Sequence, residues 1–341
     1  MTALSRGSHR KSLARRVLAT ALGATAVLAV AAGAAQARPS STNLSLVAYS
    51  TPAGAFGQII PAFQKTAAGK DVTFKQSYGA SGPQAAAVHN GLPADIVNLS
   101  LAPDVSVLSQ AGLVSTTWNK DQYGGMVTDS IVVFVVRKGN PENIKTWADL
   151  VKPGIEVINP NPFTSGGARW NVMAAWGAQL KQRKTEKQAN DYLAALYKNI
   201  KVQDSSARAS MNTFVSGKGD VLLAYENEAI QAQQSGADIA FVRPAATILI
   251  ENPIAVLKKS QHQTEAKAFI AFTRSAVAQE IYAKYGYRPV DKAVLKKWTK
   301  TFPTPRQLFT IRDIAKGGWP VVQAKFFDPN KGIVKQIQSG S

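Results

Sequence analysis

Four times along this chain a short apolar run ends in a small, serine- or glycine-rich turn that opens a helical pattern. The turns are Tyr49-Ser50-Thr51, Gly79-Ala80-Ser81-Gly82, Asn161-Pro162-Phe163-Thr164-Ser165-Gly166-Gly167 and Asp204-Ser205-Ser206-Ala207. Strands that alternate with helices build a mostly parallel sheet with helices on both faces, which makes this an α/β chain. In such sheets the turns gather at the carboxyl ends of the strands, in one crevice.

The rest of the pattern supports that class. Strands are expected at 44–49, 72–76, 94–99, 155–158, near Val202, and at 220–225 and 239–242, with 248–257 extended. Residues 131–136 (IVVFVV) form an unbroken β-branched and aromatic run, the pattern of a strand buried on both faces. Helices are expected at 54–66, 82–91, 103–111, 166–183, 186–199, 208–217 and 226–235, with a helical turn at 147–151. A further helix at 262–286 breaks near Ser275, and the tail 291–341 reads as helix and loop. Two α/β series in about 300 residues imply two lobes, with the chain crossing between them near 123–130 and 245–253.

Composition narrows the chemistry. The 341 residues include no cysteine, which removes disulfides, thiolate metal sites and a cysteine nucleophile. Three histidines, His9, His89 and His262, are too few for a histidine-rich metal site. The net charge is +19. Five basic residues in the first 37, with no acid, leave 38–341 at about +14. That excess is either a solvated basic surface or an attraction to acidic polymers and membrane surfaces. The lysines are scattered, which favours the first reading.

Residues 1–37 read as an export signal. A basic start (Arg6, Arg10, Lys11, Arg15, Arg16) precedes an alanine-rich apolar stretch at 17–35, then Ala35-Gln36-Ala37, a small-x-small cleavage pattern. Cleavage after about Ala37 places the mature protein outside the cytoplasm. An uncleaved anchor is the alternative, and the export route, general or twin-arginine, stays open.

The four turns carry the chemistry. The first amides of a helix have no partner within it, and they bind anions. Glycine admits close approach, and N-cap serines add hydroxyls. Any one such turn is ordinarily a plain cap; four together point to a ligand. Each helix N-terminus carries roughly +0.5 charge, so three nearly neutralise a divalent anion at roughly +1.5. No metal or cofactor is required.

Enzyme templates fail. GxxxxGK[ST] and GxGxxG are absent, and Gly79-Ala80-Ser81-Gly82-Pro83 lacks the last glycine of GxSxG. His89, on the helix after Ser81, reads as a surface residue. Asp95, Asp104, Asp220, Glu226 and Glu228 sit at strand ends and helix starts, where capping and ion pairing are the usual tasks. Trp170, Trp176 and Trp319 read as packing anchors.

At ASGPQAAAVHNG (80–91), VRKGNP (136–141), NPFTSGGARWNVMAAWG (161–177), DSSARASMNTFVSGKGDVLLAYENEA (204–229), YGYRPVD (285–291) and LFTI…GGW (308–319) the chain resembles the sulfate-binding proteins of bacterial ABC importers, which include thiosulfate binders. The resemblance implies a two-lobed, periplasmic-binding-protein fold joined by a two-strand hinge. Lobe 1 would be 38–124 plus 250–341, and lobe 2 would be 125–249. It implies a monomer that delivers sulfate or thiosulfate to a membrane ABC permease, with no cofactor, metal, nucleic acid or catalysis. A thiosulfate- or molybdate-specialised relative is the alternative.

Carried over by position, the resemblance points to Ser50, Ser81, Ser165, Gly166, Gly167, Ala207 and Tyr225 as the anion-binding residues. Ser50 and Ala207 would act through backbone N–H. Arg169 and Arg208 follow two of the turns and either polarise the ligand-bearing peptides from behind or make ordinary ion pairs. Three departures stand out: Ser50 where the family usually has Asp, Tyr225 where it usually has Trp, and Pro83, which removes one N–H. An exported ester hydrolase or transferase, and a wall-binding protein, are the competing classes.

Overall fold

The apolar run at 131–136 lies in a twelve-residue strand whose residues 131–136 are all buried. It is the structural axis of the computed structural model, which describes residues 41–340. The export-signal reading of 1–37 falls outside the described residues. Among the described residues no helix is long and apolar enough to cross a membrane.

The first part of the chain alternates β1 (Thr42–Tyr49), α1 (Ala53–Gln64), β2 (Val72–Gly79), α2 (Ser81–His89), β3 (Ile96–Asn98) and α3 (Ala102–Gln110). The axial strand β4 (Met126–Arg137) follows, then a 3-10 turn at Trp147–Val151 and β5 (Val157–Ile158). Next come α4 (Gly166–Lys181), α5 (Glu186–Asn199), β6 (Ile200–Val202), α6 (Ala207–Val215), β7 (Val221–Tyr225), α7 (Glu226–Gln234), β8 (Ile239–Val242) and β9 (Ala246–Val256). The last part holds α8 (Gln263–Thr273), α9 (Ala276–Lys284), β10 (Arg288–Pro289), α10 (Lys292–Lys297), β11 (Gln307–Phe309), α11 (Ile311–Ile314), α12 (Trp319–Phe326) and α13 (Ile333–Ser339).

The strand order is β2-β1-β3-β9-β4-β7-β5-β6, with β10 and β8 also on β4 and β11 on β9. Pairs β1–β2, β1–β3, β5–β6, β5–β7 and β9–β11 are parallel. Every pair made by β4 is antiparallel, as is β3–β9. The α/β class with helix-flanked sheet stands. Burial on both faces therefore did not imply parallel neighbours for β4. The first half of β4 pairs with β9 and its second half with β7, so these two long strands tie the two parallel groups together.

Local sequence explains the helices that support the site. In α5 the buried residues are Ala189, Tyr192, Leu193 and Leu196, one stripe at helical spacing. Its start is a capping box: the Gln188 amide donates to Thr185 Oγ1 at 3.2 Å and the Thr185 amide donates to Gln188 Oε1 at 2.9 Å. By contrast α4 is a core helix, buried in thirteen of sixteen positions. Trp170 packs edge-on against Trp319 at 4.8 Å and Trp176 against Phe326 at 5.0 Å. These tryptophans are packing anchors. The helix expected over 262–286 divides at Ser275, which caps α9 by accepting from the Ala278 amide. The tail 291–341 is more than helix and loop: β11 borrows a sheet edge from β9.

Candidate anion-binding site

The segments that follow β1, β2, β3, β5 and β6, and the end of β7, converge on one small cavity. It is lined by Tyr49, Ser50, Ala80, Ser81, Ser100, Ser165, Gly166, Gly167, Ser206, Ala207 and Tyr225. All seven residues singled out from the sequence are among them. The space is about 10 Å³, on the scale of one small guest and far below the roughly 300–1,000 Å³ of pockets for larger organic ligands. No lining residue carries a charge.

Three helices start in the cavity wall, α2 at Ser81, α4 at Gly166 and α6 at Ala207, and Tyr225 is the N-cap of a fourth, α7. Their partly positive ends converge there. α7 is met in its own first turn by Glu226 and Glu228, leaving three ends unopposed by an acid of their own first turn.

The hydrogens each turn offers follow from what is already engaged. In α4, Ser165 Oγ accepts from the Ala168 amide at 3.4 Å. In α6, Ser206 Oγ accepts from the Ala209 amide at 3.2 Å. Both serines cap by accepting, so each keeps its own hydroxyl hydrogen. The amides of Gly166, Gly167 and Ala207, first in their helices, have no intrahelical acceptor. In α2 the supply is thinner. The Gly82 amide donates to Thr164 O at 3.1 Å, and Pro83 has none, which leaves the Ser81 amide.

Ser81 is not an N-cap, since Ala80 holds that position. Its hydroxyl donates to Asp104 at 2.5 Å and accepts from the Ser100 amide at 2.9 Å. Ser81 therefore faces the cavity through its backbone, with its hydroxyl spent on the wall. Burial raises the Asp104 carboxyl above its ordinary range, while the nearby Arg169 charge and the Ser81 bond pull it back.

The two glycines are required by space. A Cβ on Gly166 would lie 2.1 Å from Leu101 Cδ2 and 2.5 Å from Ser100 Oγ. One on Gly167 would lie 2.7 Å from Tyr225 Cε2 and 3.3 Å from Ala207 Cβ.

Tyr225 Oη lies 2.5 Å from Ser100 Oγ, and its ring is 6.3 Å from that of Tyr49. Burial, with Tyr49 beside it, pushes the phenol well above its ordinary value, so it keeps its hydrogen at neutral pH. Ser100 is held from several sides: its carbonyl accepts from Trp170 Nε1 at 3.0 Å and from Asn252 Nδ2 at 2.9 Å.

The two arginines stand outside the cavity lining. Arg169 Nε donates to Pro162 O at 2.8 Å, within the turn that leads into α4. Arg208 donates to Glu228 at 2.6 Å and to Thr51 O at 3.3 Å. Thus Arg208 makes an ion pair and also reaches the peptide beyond Ser50. The carboxylates have structural partners: Asp95 accepts from the Ser45 amide, Asp220 from the Glu156 amide, and Glu226 from Arg243 and Arg288. His89 is exposed at the end of α2. Among the described residues no group of three histidine, aspartate or glutamate side chains is placed to hold a metal ion.

Wall residues outside the seven are Tyr49, Ala80, Ser100 and Ser206. Three of them belong to turns visible in the sequence. Ser100 does not: it follows β3 in Leu99-Ser100-Leu101, with no glycine to mark the junction. The available signal was positional, a serine between a buried strand and a helix.

The sequence profile of the bacterial extracellular solute-binding proteins matches residues 44–288. The chain belongs to this family. Within the solute-binding proteins, the sulfate-binding protein of Escherichia coli strain K12 is 43% identical over 291 residues, covering 83% of this chain and 88% of that one. The thiosulfate-binding protein of Pseudomonas aeruginosa is 34% identical over 319 residues, covering 90% of this chain and 94% of its own. Among solved structures, the sulfate-binding protein SubI from Mycobacterium tuberculosis H37Rv aligns with a TM-score of 0.82 and 42% identity, over 84% of this chain and all of that one. A solute-binding protein with this fold therefore presents a small, charge-free cavity at convergent helix starts.

Proposed function

We propose that this solute-binding protein captures sulfate in the cavity through neutral hydrogen-bond donors and delivers it to a membrane ABC permease, as an exported, non-enzymic monomer. The observation that carries the reading is the lining itself: amides and hydroxyls at three unopposed helix starts, with no charged side chain. Three N-termini supply roughly +1.5 charge against the −2 of sulfate. Hydrogen bonds to a charged group contribute roughly 1.5–3 kcal/mol each, and a few of them reach the roughly −8 kcal/mol of a micromolar site. The relatives named for sulfate support the choice of anion.

The reading includes hinge closure. Lobe 1 (38–124 plus 250–341) and lobe 2 (125–249) would turn about the antiparallel pair β4–β9, with the tail from β11 onward, which packs on α4 through Trp319 and Phe326, moving with lobe 2. Several bonds join residues of these two parts: Gly82 to Thr164, Trp170 to Ser100, Arg208 to Thr51, and Gln231 to the Tyr285 carbonyl at 3.0 Å. They would part on opening and re-form around the ligand.

Selectivity follows from the donors. Sulfate has no proton at neutral pH, whereas monohydrogen phosphate has an O–H that needs an acceptor. Left unsatisfied, that group costs roughly 1–3 kcal/mol, or about 5- to 150-fold in affinity. Calorimetric titration of the ligand-free protein with sulfate, thiosulfate, phosphate and molybdate tests this. Sulfate at micromolar affinity or tighter, with phosphate at least about fivefold weaker, is expected. Phosphate bound as tightly as sulfate contradicts this donor-dominated reading of the cavity. Tighter binding of thiosulfate would move the assignment toward the thiosulfate-binding relative.

A further inference from the structure

Tyr225 and Ser100 lie in the cavity wall with their hydroxyl oxygens 2.5 Å apart. Neither oxygen has another hydrogen-bond partner among the described residues. Two hydroxyls in contact own two hydrogens, and the bond between them uses one. If Tyr225 donates to Ser100, the serine hydrogen is left over; if Ser100 donates to Tyr225, the phenolic hydrogen is left over. In both orders one hydrogen remains with no protein acceptor, on the hydroxyl of a residue that lines the cavity. Burial keeps the phenol protonated, so the count holds at neutral pH.

The pair is also held in place. Ser100 is fixed through its amide on Ser81 Oγ and its carbonyl under Trp170 and Asn252. The Tyr225 ring lies against Gly167, where no side chain larger than hydrogen fits. Ser81, the other hydroxyl in this part of the wall, has spent its hydrogen on Asp104.

We infer that Ser100 and Tyr225 act as one donor: their spare hydrogen binds the oxyanion, and Ser100 is a further binding residue of the site. The inference rests on the oxyanion-binding reading above and adds to it a residue and a mechanism. Because either hydroxyl alone still owns a hydrogen, the two residues back each other up.

The test is a double-variant cycle on the full mature chain, read by calorimetric titration with sodium sulfate. Ser100→Ala and Tyr225→Phe each weaken sulfate binding by less than about fivefold. The double variant loses one charge-assisted bond, about 10- to 100-fold, and restoring either hydroxyl recovers most of it. A merely structural role for Ser100 gives no such rescue. Ser100→Cys combined with Tyr225→Phe keeps the wall volume while removing the strong donors, and stands in if the first double variant fails to fold. A double variant within twofold of the wild type overturns the inference. So does the whole loss appearing in one single variant while the other is silent, since one residue would then be the donor. If the wild type itself binds no oxyanion, the functional reading fails first, and that outcome is distinct from both.

Discussion

Two neighbouring regions handle charge in opposite ways. The cavity wall is uncharged: amides, four serine hydroxyls with hydrogens to give or share, and a phenol. The base of α7, next in sequence to Tyr225, is dense with charge. Fully buried Glu226 is gripped by Arg243 and by Arg288, the latter at 2.7 and 3.1 Å. Buried Glu228 pairs with Arg208. At the base of α7 the buried charges pair with one another, and the dipoles of α2, α4 and α6 are left for the guest. A charged side chain in the wall would have bound an anion more simply but also answered to many others. Fixed neutral donors favour the anion whose acceptors match them.

The comparison predicts that damage to the wall lowers binding with little loss of stability, while damage to the ion pairs does the reverse. The largest effect on binding is expected from Gly167→Ala. Its Cβ falls on Tyr225 and crowds Ala207, so sulfate affinity should drop by more than about 100-fold, the equivalent of about 2.8 kcal/mol. Titration calorimetry beside a thermal melt checks it; an intact site with a collapsed fold would reverse the assignment.

Glu226→Gln comes next. It leaves Arg288, almost fully buried, and Arg243 without a counter-charge. Breaking a buried pair costs about 3–5 kcal/mol. Urea unfolding should show that loss, with sulfate affinity of the folded protein within about threefold of the wild type.

A smaller, pH-dependent effect is expected of Arg208→Met. Burial already raises the Glu228 carboxyl, and Arg208 is what holds it down. Without the arginine the folded-state pKa climbs further above the unfolded value. A raised carboxylate pKa means the folded state binds more protons, so stability falls as pH rises through the window above about 4.5. Melting curves from pH 4 to 8 should diverge from the wild type as pH increases. Parallel curves would remove Arg208 from this role.

The smallest effect belongs to Asp129→Asn. On β4, Asp129 sits directly opposite Glu251 of β9 and opposite Arg288 of β10. Burial and then Glu251 raise its carboxyl well above the ordinary range, and Arg288 only partly opposes them. Asparagine removes the cost of charging it. Stability should rise at pH 7, by about 1–3 °C in Tm, and the gain should shrink as pH falls and vanish only well below the ordinary aspartate value of 3.8, where the wild-type side chain is protonated in both states.

Much of this was legible in the sequence because local rules and tertiary context agreed. The span 186–199 matches α5, where a capping box and an apolar stripe coincide. Turns rich in serine and glycine marked the starts of α2, α4 and α6, and the residues drawn from them line one cavity. What was not legible depended on distant neighbours. An apolar run reports burial, not the direction of adjacent strands, so the antiparallel partners of β4 were hidden. Strand β2 runs on to Gly79 through polar Ser77, because pairing with Val47 and Ala48 continues there. Ser100 and Asp104 carry no local signature. Their roles arise from Ser81 and Tyr225, 19 to 125 residues away in the chain.

The most direct measurement is a crystal structure of the mature protein with sulfate at a resolution that fixes hydrogen-bond distances. The expected result is one sulfate between α2, α4 and α6. It would be held by the Ser81, Gly166, Gly167 and Ala207 amides and by hydroxyls, with no lysine or arginine nitrogen within 3.5 Å, roughly the outer limit of a hydrogen bond. A sulfate bound elsewhere, or one touching the guanidinium of Arg169 or Arg208, would contradict the neutral-donor account.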